Sequence, residues 1–343
     1  MISFLVLIQL EKSSKVWTII FQTEQPVSLV EACISRFKYL RVLDFKQSSF
    51  EELPSSIGTL KHLRFLNLIG NHIIKRLPNS ICKLHSLQTL LLGGCKNLER
   101  LPKGIRNMIT LRCLIVTTEH TSLLENGEGC LNSLRFLLIH DCGHLKCLFE
   151  GMDGCLANLR TLVVVNCPSL TSLSLKMKHL TTLELLIMGN CEELCLTDEE
   201  DNQDLKLSLR ILVISNLPKL EVLPLWLQGS ANTLQHLEIE YCQNFTALPE
   251  WLPSLKSLQR LRIANSSKLS YLSEGMQGLT ALRELTIVAC PNLRTKCRQD
   301  WPQIAHVPEV SLNVDYWSSI HSDDEVWPYL SFLLFLYYYD LNS

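Results

Sequence analysis

The chain has 343 residues and 39.2 kDa, and 47% of its residues are hydrophobic, enough to bury a sizeable core without disulfide stapling. With 32 Lys and Arg against 34 Asp and Glu, the net charge of −2 argues against phosphate neutralisation on nucleic acid and against a disordered chain. Leucine is the outlier at 69 residues, an excess that points to one structural unit used many times.

The first ten residues, Met1–Leu10 (MISFLVLIQL), are apolar, but no Lys or Arg precedes them and no small-residue cleavage site follows before Glu11 and Lys12. They make a poor secretory signal. From Leu40 onward the pattern L-x-x-L-x-(L/I/V)-x-x-(C/N)-x-x-L recurs, with first leucines at Leu40, Leu63, Leu87, Leu111, Leu134, Leu159, Leu183, Leu209, Leu234, Leu258 and Leu282. The intervals run from 23 to 26 residues. This resembles the period of leucine-rich repeats, roughly 20 to 29 residues. It implies an α/β solenoid, a horseshoe with a concave parallel β-sheet and short helical or 3-10 turns and loops on its convex side. Residues 1–39 are then an N-terminal extension, 40–295 an array of eleven units, and 296–343 a C-terminal cap and apolar tail.

One unit shows the physics. In Leu87–Pro102 the inward Leu90 and Leu92 alternate with outward residues, as a strand requires, and successive strands can stack about 4.8 Å apart. A single unit cannot bury its leucines, so neighbours do so for each other and the end units need caps. After each Leu-Pro, as in Leu53-Pro54-Ser-Ser-Ile57-Gly-Thr-Leu60, the spacing of Ile57 and Leu60 suits one helical or 3-10 turn. Asn71, Cys95, Cys142, Cys167, Cys191, Cys242 and Cys290 share one place just after the strand, where a buried side chain can satisfy turn carbonyls. Parallel thiols pointing into one core are poorly oriented for bonding, so reduced cysteines and an intracellular chain are expected.

Catalytic chemistry has no foothold here. The phosphate-loop, dinucleotide, zinc-protease, nucleophile-elbow and kinase motifs are all absent, so no enzyme activity and no cofactor are expected. The best metal candidate, His140-Asp-Cys142-Gly-His144-Leu-Lys-Cys147, fails on register: His140 falls outward while Cys142 lies in the inward ladder. No metal is therefore assigned. Asn244-Phe-Thr246 and Asn265-Ser-Ser267 match a glycosylation sequon that matters only in a secreted chain. Asp198, Glu199, Glu200, Asp201 and Asp204 read as a solvated loop. Trp327–Tyr339 (WPYLSFLLFLYYY) is too short for a bilayer, which needs about 20 apolar residues. It reads as a packed or exposed tail, and no membrane partner is expected.

Function is then expected on the concave face. Its middle outward column reads Asp44, Asn67, Leu91, Ile115, Leu138, Val163, Ile187, Val213, Glu238, Arg262 and Thr286, so six consecutive units place an apolar residue where water is expected. Phe65, Phe136, Leu185 and Ile211 add a flanking column. The stripe spans nearly 30 Å and on the order of 300 Å², a size that marks interaction sites. Asp44 and Lys46 bound it on one side, and His236, Glu238, Glu240, Arg260 and Arg262 on the other. The partner-binding residues are accordingly expected among Leu91, Ile115, Leu138, Val163, Ile187, Val213, Phe65, Phe136, Leu185, Ile211, Glu238, Arg260 and Arg262. A plainer reading is that aliphatic residues simply suit strands. An arginine column (Arg41, Arg64, Arg112, Arg135, Arg160, Arg210, Arg283) either pairs with turn carboxylates or faces a ligand.

Several segments carry a finer resemblance: Phe37-Lys-Tyr-Leu-Arg-Val-Leu-Asp44, Glu52-Leu-Pro-Ser-Ser-Ile57, Arg76-Leu-Pro-Asn-Ser-Ile81, Leu248-Pro-Glu-Trp-Leu252 and Trp301-Pro-Gln-Ile-Ala-His-Val-Pro308. Together they resemble the leucine-rich-repeat region of plant disease-resistance proteins of the coiled-coil, nucleotide-binding type, over roughly Lys15 to Asn313. Lys15–Phe21 then looks like the strand that opens the region. The resemblance implies a cytoplasmic immune receptor whose repeats bind a pathogen effector or a host guard protein and restrain a nucleotide-binding switch domain, in cis or in trans. That domain, with its phosphate loop, is not found in this sequence, which reads as a fragment or a truncated relative. The alternative is a secreted repeat protein that binds a pathogen enzyme in the apoplast. A ubiquitin-ligase adaptor ranks low, because no ligase-docking motif precedes Leu40.

Overall fold

Two residues after every first leucine a short strand begins. The computed structural model describes residues 16–21, 26–124, 129–148, 156–173, 179–196, 206–293 and 304–313. Its strands are β1 (Thr18–Ile20), β2 (Val42–Asp44), β3 (Phe65–Asn67), β4 (Thr89–Leu92), β5 (Cys113–Val116), β6 (Phe136–His140), β7 (Thr161–Val165), β8 (Leu185–Gly189), β9 (Ile211–Ser215), β10 (His236–Glu240), β11 (Arg260–Ala264), β12 (Glu284–Val288) and β13 (Glu309–Asn313). They form one sheet in sequence order, each strand parallel to the next. Parallel neighbours in sequence order are the architecture of an α/β leucine-rich-repeat solenoid.

Register follows the leucine period. Leu90 pairs with Leu114, Leu137 with Leu162, and Leu186 with Leu212, all facing inward. The first leucines, Leu40 to Leu282, are buried beneath the sheet, as are Leu98, Leu145 and Leu170 of the following turns. Chain return after Leu-Pro is by 3-10 turns at Ser55–Thr59, Asn79–Lys83 and Lys103–Asn107. Pro54, Pro78 and Pro102 precede them with φ of −62°, −65° and −60°, the value a proline ring fixes. Ile57 and Leu60 point into the core from the first of these turns, and the Leu60 N–H donates to the Ile57 carbonyl at 3.1 Å.

At the end of ten of the strands, β2 to β4 and β6 to β12, the chain turns through a left-handed residue: Gln47, Gly70, Gly94, Asp141, Asn166, Asn190, Asn216, Tyr241, Asn265 and Ala289 all have φ between 48° and 76°. Glycine, asparagine and aspartate tolerate that conformation best, which accounts for seven of the ten. Along the middle of the array their side chains also touch. Asn166 donates to Asp141 at 2.9 Å, Asn190 to Asn166 at 2.8 Å and Asn216 to Asn190 at 2.9 Å.

The expected opening strand is β1, paired with β2. Sequence patterning did not identify the helix between them, α1 (Val27–Arg36), which buries Val30, Cys33 and Ile34 against the first unit. Phe21 stacks on Phe45 at 5.0 Å, and Phe45 meets Phe50 edge-on at 5.1 Å. This aromatic group and α1 give the first unit the covering that a neighbour gives all others. At the far end, buried Ile304 and Val307 lead into β13.

Candidate protein-binding face

In a strand whose inward residues are fixed by the leucine pattern, the alternating residues emerge on the concave side. Parallel in-register pairing lines them up: Leu91 with Ile115, Ile115 with Leu138, Leu138 with Val163, Val163 with Ile187, and Ile187 with Val213. Leu91, Cys113, Ile115, Phe136, Leu138, Val163, Val165 and Ile187 pack into a second apolar cluster, separate from the core beneath the sheet. Phe65, Ile69, Leu185 and Val213 pack against its edges, half-buried. Ile211, also half-buried, lies on the same side between Leu185 and His236. The structure thus brings the apolar candidates together on one face.

The stripe is little exposed. Leu91 retains 9% of its exposure, Ile187 6%, Ile115 and Leu138 2%, and Val163 none. Side chains on strands about 4.8 Å apart shield each other's flanks, and the large Phe136 fills the gap beside Leu138. Among the described residues, no helix or strand packs across the face: strands contact their neighbours along the sheet.

From β10 onward the same column turns polar. The Arg262 Nε donates to Glu238 at 2.9 Å and to Glu240 at 2.8 Å, and the Arg260 Nε reaches Glu284 at 3.2 Å. Burial pushes the Glu238 carboxyl up to about 7, Glu240 adds to the rise, and Arg262 opposes it. Burial and the nearby Arg260 lower the His236 imidazole. The three charged candidates Glu238, Arg260 and Arg262 therefore belong to a network of internal ion pairs. In the arginine column, Arg41 lies over the Trp17 ring at 4.6 Å and Arg160 reaches Glu184 at 3.7 Å, while backbone N–H groups along it, such as Arg64 to Arg41, start the sheet ladder.

The seven post-strand residues, Asn71, Cys95, Cys142, Cys167, Cys191, Cys242 and Cys290, are buried. Cys95 donates to the Leu68 carbonyl at 3.3 Å, Cys142 to His140 at 3.5 Å, Cys167 to Val165 at 3.4 Å, Cys191 to Gly189 at 3.3 Å, Cys242 to Glu240 at 3.3 Å and Cys290 to Val288 at 3.4 Å. Asn71 accepts from the Phe50 N–H at 3.0 Å. Burial raises the Cys95 thiol to about 12 and Cys242 to about 11, and neighbouring thiols with burial raise Cys167 and Cys191 further, which keeps them protonated and unreactive. Eleven of the described cysteines carry no disulfide, while Cys130 is disulfide-bonded, a departure from the expectation of reduced thiols throughout.

The histidine-cysteine candidate for a metal is dispersed. The His140 Nδ1 meets Asp141 at 3.1 Å, His144 meets Glu119 at 3.3 Å, and Cys142 belongs to the ladder. Among the described residues no His, Cys, Asp or Glu group is arranged to hold a metal ion. The His140 hydrogen bond, with that of Asn166, holds the Asp141 carboxyl down at about 2. The Asn244 side chain donates to the Pro218 carbonyl at 2.6 Å, so that sequon's amide is engaged. The acidic cluster at Asp198–Asp204 and the apolar segments Met1–Leu10 and Trp327–Tyr339 lie outside the described residues. Among the described residues, no helix is long and apolar enough to cross a membrane.

Cys113, Val165 and Ile69 had escaped the sequence reading. Cys113 stands two residues after its first leucine, the register of Phe65 and Phe136, and Val165 stands six after its own. The alternation that predicted the other members would have found both.

An apolar concave column on a stacked, parallel, leucine-cored sheet defines a class, the repeat scaffolds that generally bind other proteins. The family described as leucine-rich repeat region matches residues 18–243, more than half of the chain, and the chain belongs to it. A Solanum bulbocastanum protein that carries the name of a candidate disease resistance protein, RGA1, is 50% identical over 42 residues, which are 12% of this chain and 4% of that protein. Among solved structures, the leucine-rich repeat domain of the type III effector XopL aligns with a TM-score of 0.54 and 23% identity over 78% of this chain and 81% of its own. The plant peptide hormone receptor RGFR1, solved in complex with RGF2, aligns with a TM-score of 0.46 and 19% identity over 89% of this chain and 60% of its own.

Proposed function

We propose that this chain is the recognition module of a cytoplasmic plant disease-resistance protein, without catalytic activity of its own. The concave stripe from Leu91 to Val213 takes a protein partner, either a pathogen effector or host guard protein, or a nucleotide-binding switch domain held in restraint. The 42-residue match to a disease resistance protein carries the immune assignment, and the apolar column on the concave face supports its location. Co-expression in leaf tissue with the nucleotide-binding domain of an RGA1-type protein tests the restraint role. Co-purification that Leu138→Asp abolishes is the expected result. No association of the unaltered chain with that domain, while an effector is still captured, would rule out restraint and leave recognition standing.

A secreted apoplastic binder is the second reading, favoured by one observation, the disulfide at Cys130, a bond typical of oxidising compartments. The engaged amide of Asn244 opposes it. A fluorescent fusion found in the cell wall, together with a glycosidase mobility shift, would overturn the cytoplasmic assignment.

A further inference from the structure

The chain-wide charge of −2 hides two opposite parts. Residues 26–112 hold fourteen Lys and Arg against five Asp and Glu, whereas residues 113–343 hold sixteen against twenty-seven. Part of the basic surplus is ordered along the rim where the chain enters the strands. Two successive units carry the same pattern there, Lys38-Tyr39-Leu40-Arg41 and Lys61-His62-Leu63-Arg64. Leu40 and Leu63 are buried, and the other six side chains are exposed. The Arg64 N–H donates to the Arg41 carbonyl at 2.8 Å, so the two copies lie side by side on neighbouring rungs. Their rings stack, Tyr39 on His62, with centroids 5.5 Å apart and planes 23° from parallel. Trp17, 51% exposed on the preceding rung, has the Arg41 guanidinium over its ring at 4.6 Å. Exposed Lys83 and His85 follow in the next unit and Arg112 in the one after.

We propose that this rim is a second binding surface and that it takes a single-stranded nucleic acid. Its cations lie against neutral groups. Lys38 Nζ donates to the Ile34 carbonyl at 3.1 Å and to Thr59 Oγ1 at 3.3 Å, Lys61 Nζ donates to the Lys83 carbonyl at 3.2 Å, and Arg41 faces Trp17. None of these contacts cancels a charge, so rungs about 4.8 Å apart set like charge against like until an anion lies along them. Further along the same arginine column Arg160 has Glu184 at 3.7 Å. The column thus serves internal pairing in the acidic part of the chain and forms an exposed cationic row in the basic part. An acidic protein segment would need only the cations. Exposed rings stacked between Lys and Arg are instead the composition of single-strand sites, where bases stack on aromatic faces and phosphates lie on flanking cations. A duplex keeps its base faces hidden, so it gains nothing from the rings. From β1 to β5 the rim spans about 19 Å, room for on the order of five nucleotides. This surface does not involve the stripe from Leu91 to Val213, so it stands or falls apart from the protein-partner reading.

Fluorescence anisotropy of the full-length chain with a labelled oligodeoxyadenylate of about ten nucleotides, between about 50 and 200 mM salt, provides the test. The unaltered chain should prefer the single strand over the same sequence in a duplex by at least about tenfold. Its log Kd should rise with log salt at a slope of about 2 to 3.5, since each of three to five neutralised phosphates contributes about 0.7. Arg64→Gln should take about 0.7 from that slope. Tyr39→Ala should weaken binding about tenfold, and Tyr39→Phe, which keeps the ring, by less than about twofold. Arg210→Gln, exposed in the same column but outside the basic units, should leave the affinity unchanged. Equal binding of the duplex, indifference to Tyr39→Ala, or no binding at about 50 mM salt overturns the proposal. Displacement by a polyglutamate of about ten residues as readily as by unlabelled oligonucleotide also overturns it, and assigns the rim to an acidic protein segment. Binding to phosphatidylserine vesicles in place of the oligonucleotide overturns it in favour of a membrane surface. The single-strand preference is read on the unaltered chain, so it decides the matter should a Tyr39 variant fail to fold.

Discussion

The concave face divides into two regions on one scaffold. From β4 to β9 its middle column is aliphatic and packed into a cluster of its own; from β10 to β12 the same register holds Glu238, Arg262 and Thr286, the first two tied by an ion pair. Beneath both regions the inward leucines pair without interruption, Leu186 with Leu212, then Leu212 with Leu237 and Leu237 with Leu261. Stability of the stack therefore rests on the inward columns, and the outward ones vary without disturbing it. That independence lets a repeat protein write specificity on one face.

The sharpest way to break this comparison is at one strand. Leu137→Asp puts a charge beneath the sheet and should cost more than about 4 kcal/mol, abolishing the cooperative denaturant transition. Leu138→Asp, one residue on but facing outward, should cost less, about 2 kcal/mol, with far-UV circular dichroism retained, because the concave cluster can open where the core cannot. Equal losses at the two sites would erase the distinction between the faces.

The next two effects are smaller and opposite in their pH dependence. The Asp141 carboxyl, beside the apolar units, is held at about 2 instead of 3.8 by His140 and Asn166, so it stabilises the fold above the higher value and loses that contribution as pH falls toward the lower. Asp141→Asn should remove about 1 kcal/mol at pH 6, after allowance for its partial exposure, and almost nothing at pH 2. Glu238, in the charged region, is raised from 4.5 to about 7, so its contribution is lost as pH climbs between those values. Glu238→Gln should therefore change stability little at pH 4 and raise it by about 1 kcal/mol or less at pH 8, since the lost Arg262 pair offsets part of the gain. Urea midpoints across pH measure both, and the same sign at both sites would merge the two regions.

The period fixes much of this in the sequence alone. The inward leucines, the concave column and the cysteine ladder are all local consequences of strand alternation, so one unit suffices to read them. Helix α1 was missed although Val30, Cys33, Ile34 and Phe37 stand at helical spacing after Pro26, because it lies before the repeats that gave the pattern its authority. Cys113 does not follow from the cysteine ladder, because it stands two residues after Leu111 and the ladder occupies another register. The burial of Val163 is not legible from alternation: the period tells which way a side chain points, but not how tightly its neighbours along the sheet close around it.

The rim of asparagines has an evolutionary corollary. Asn166 and Asn190 each accept from the unit after and donate to the unit before, and Asn216 donates in turn to Asn190, so successive members present the same donor and the same acceptor. Excising or duplicating an entire unit leaves this relay closed, whereas a single-residue insertion strands an amide. Gene duplication in steps of one full unit is the kind of change such an edge accepts.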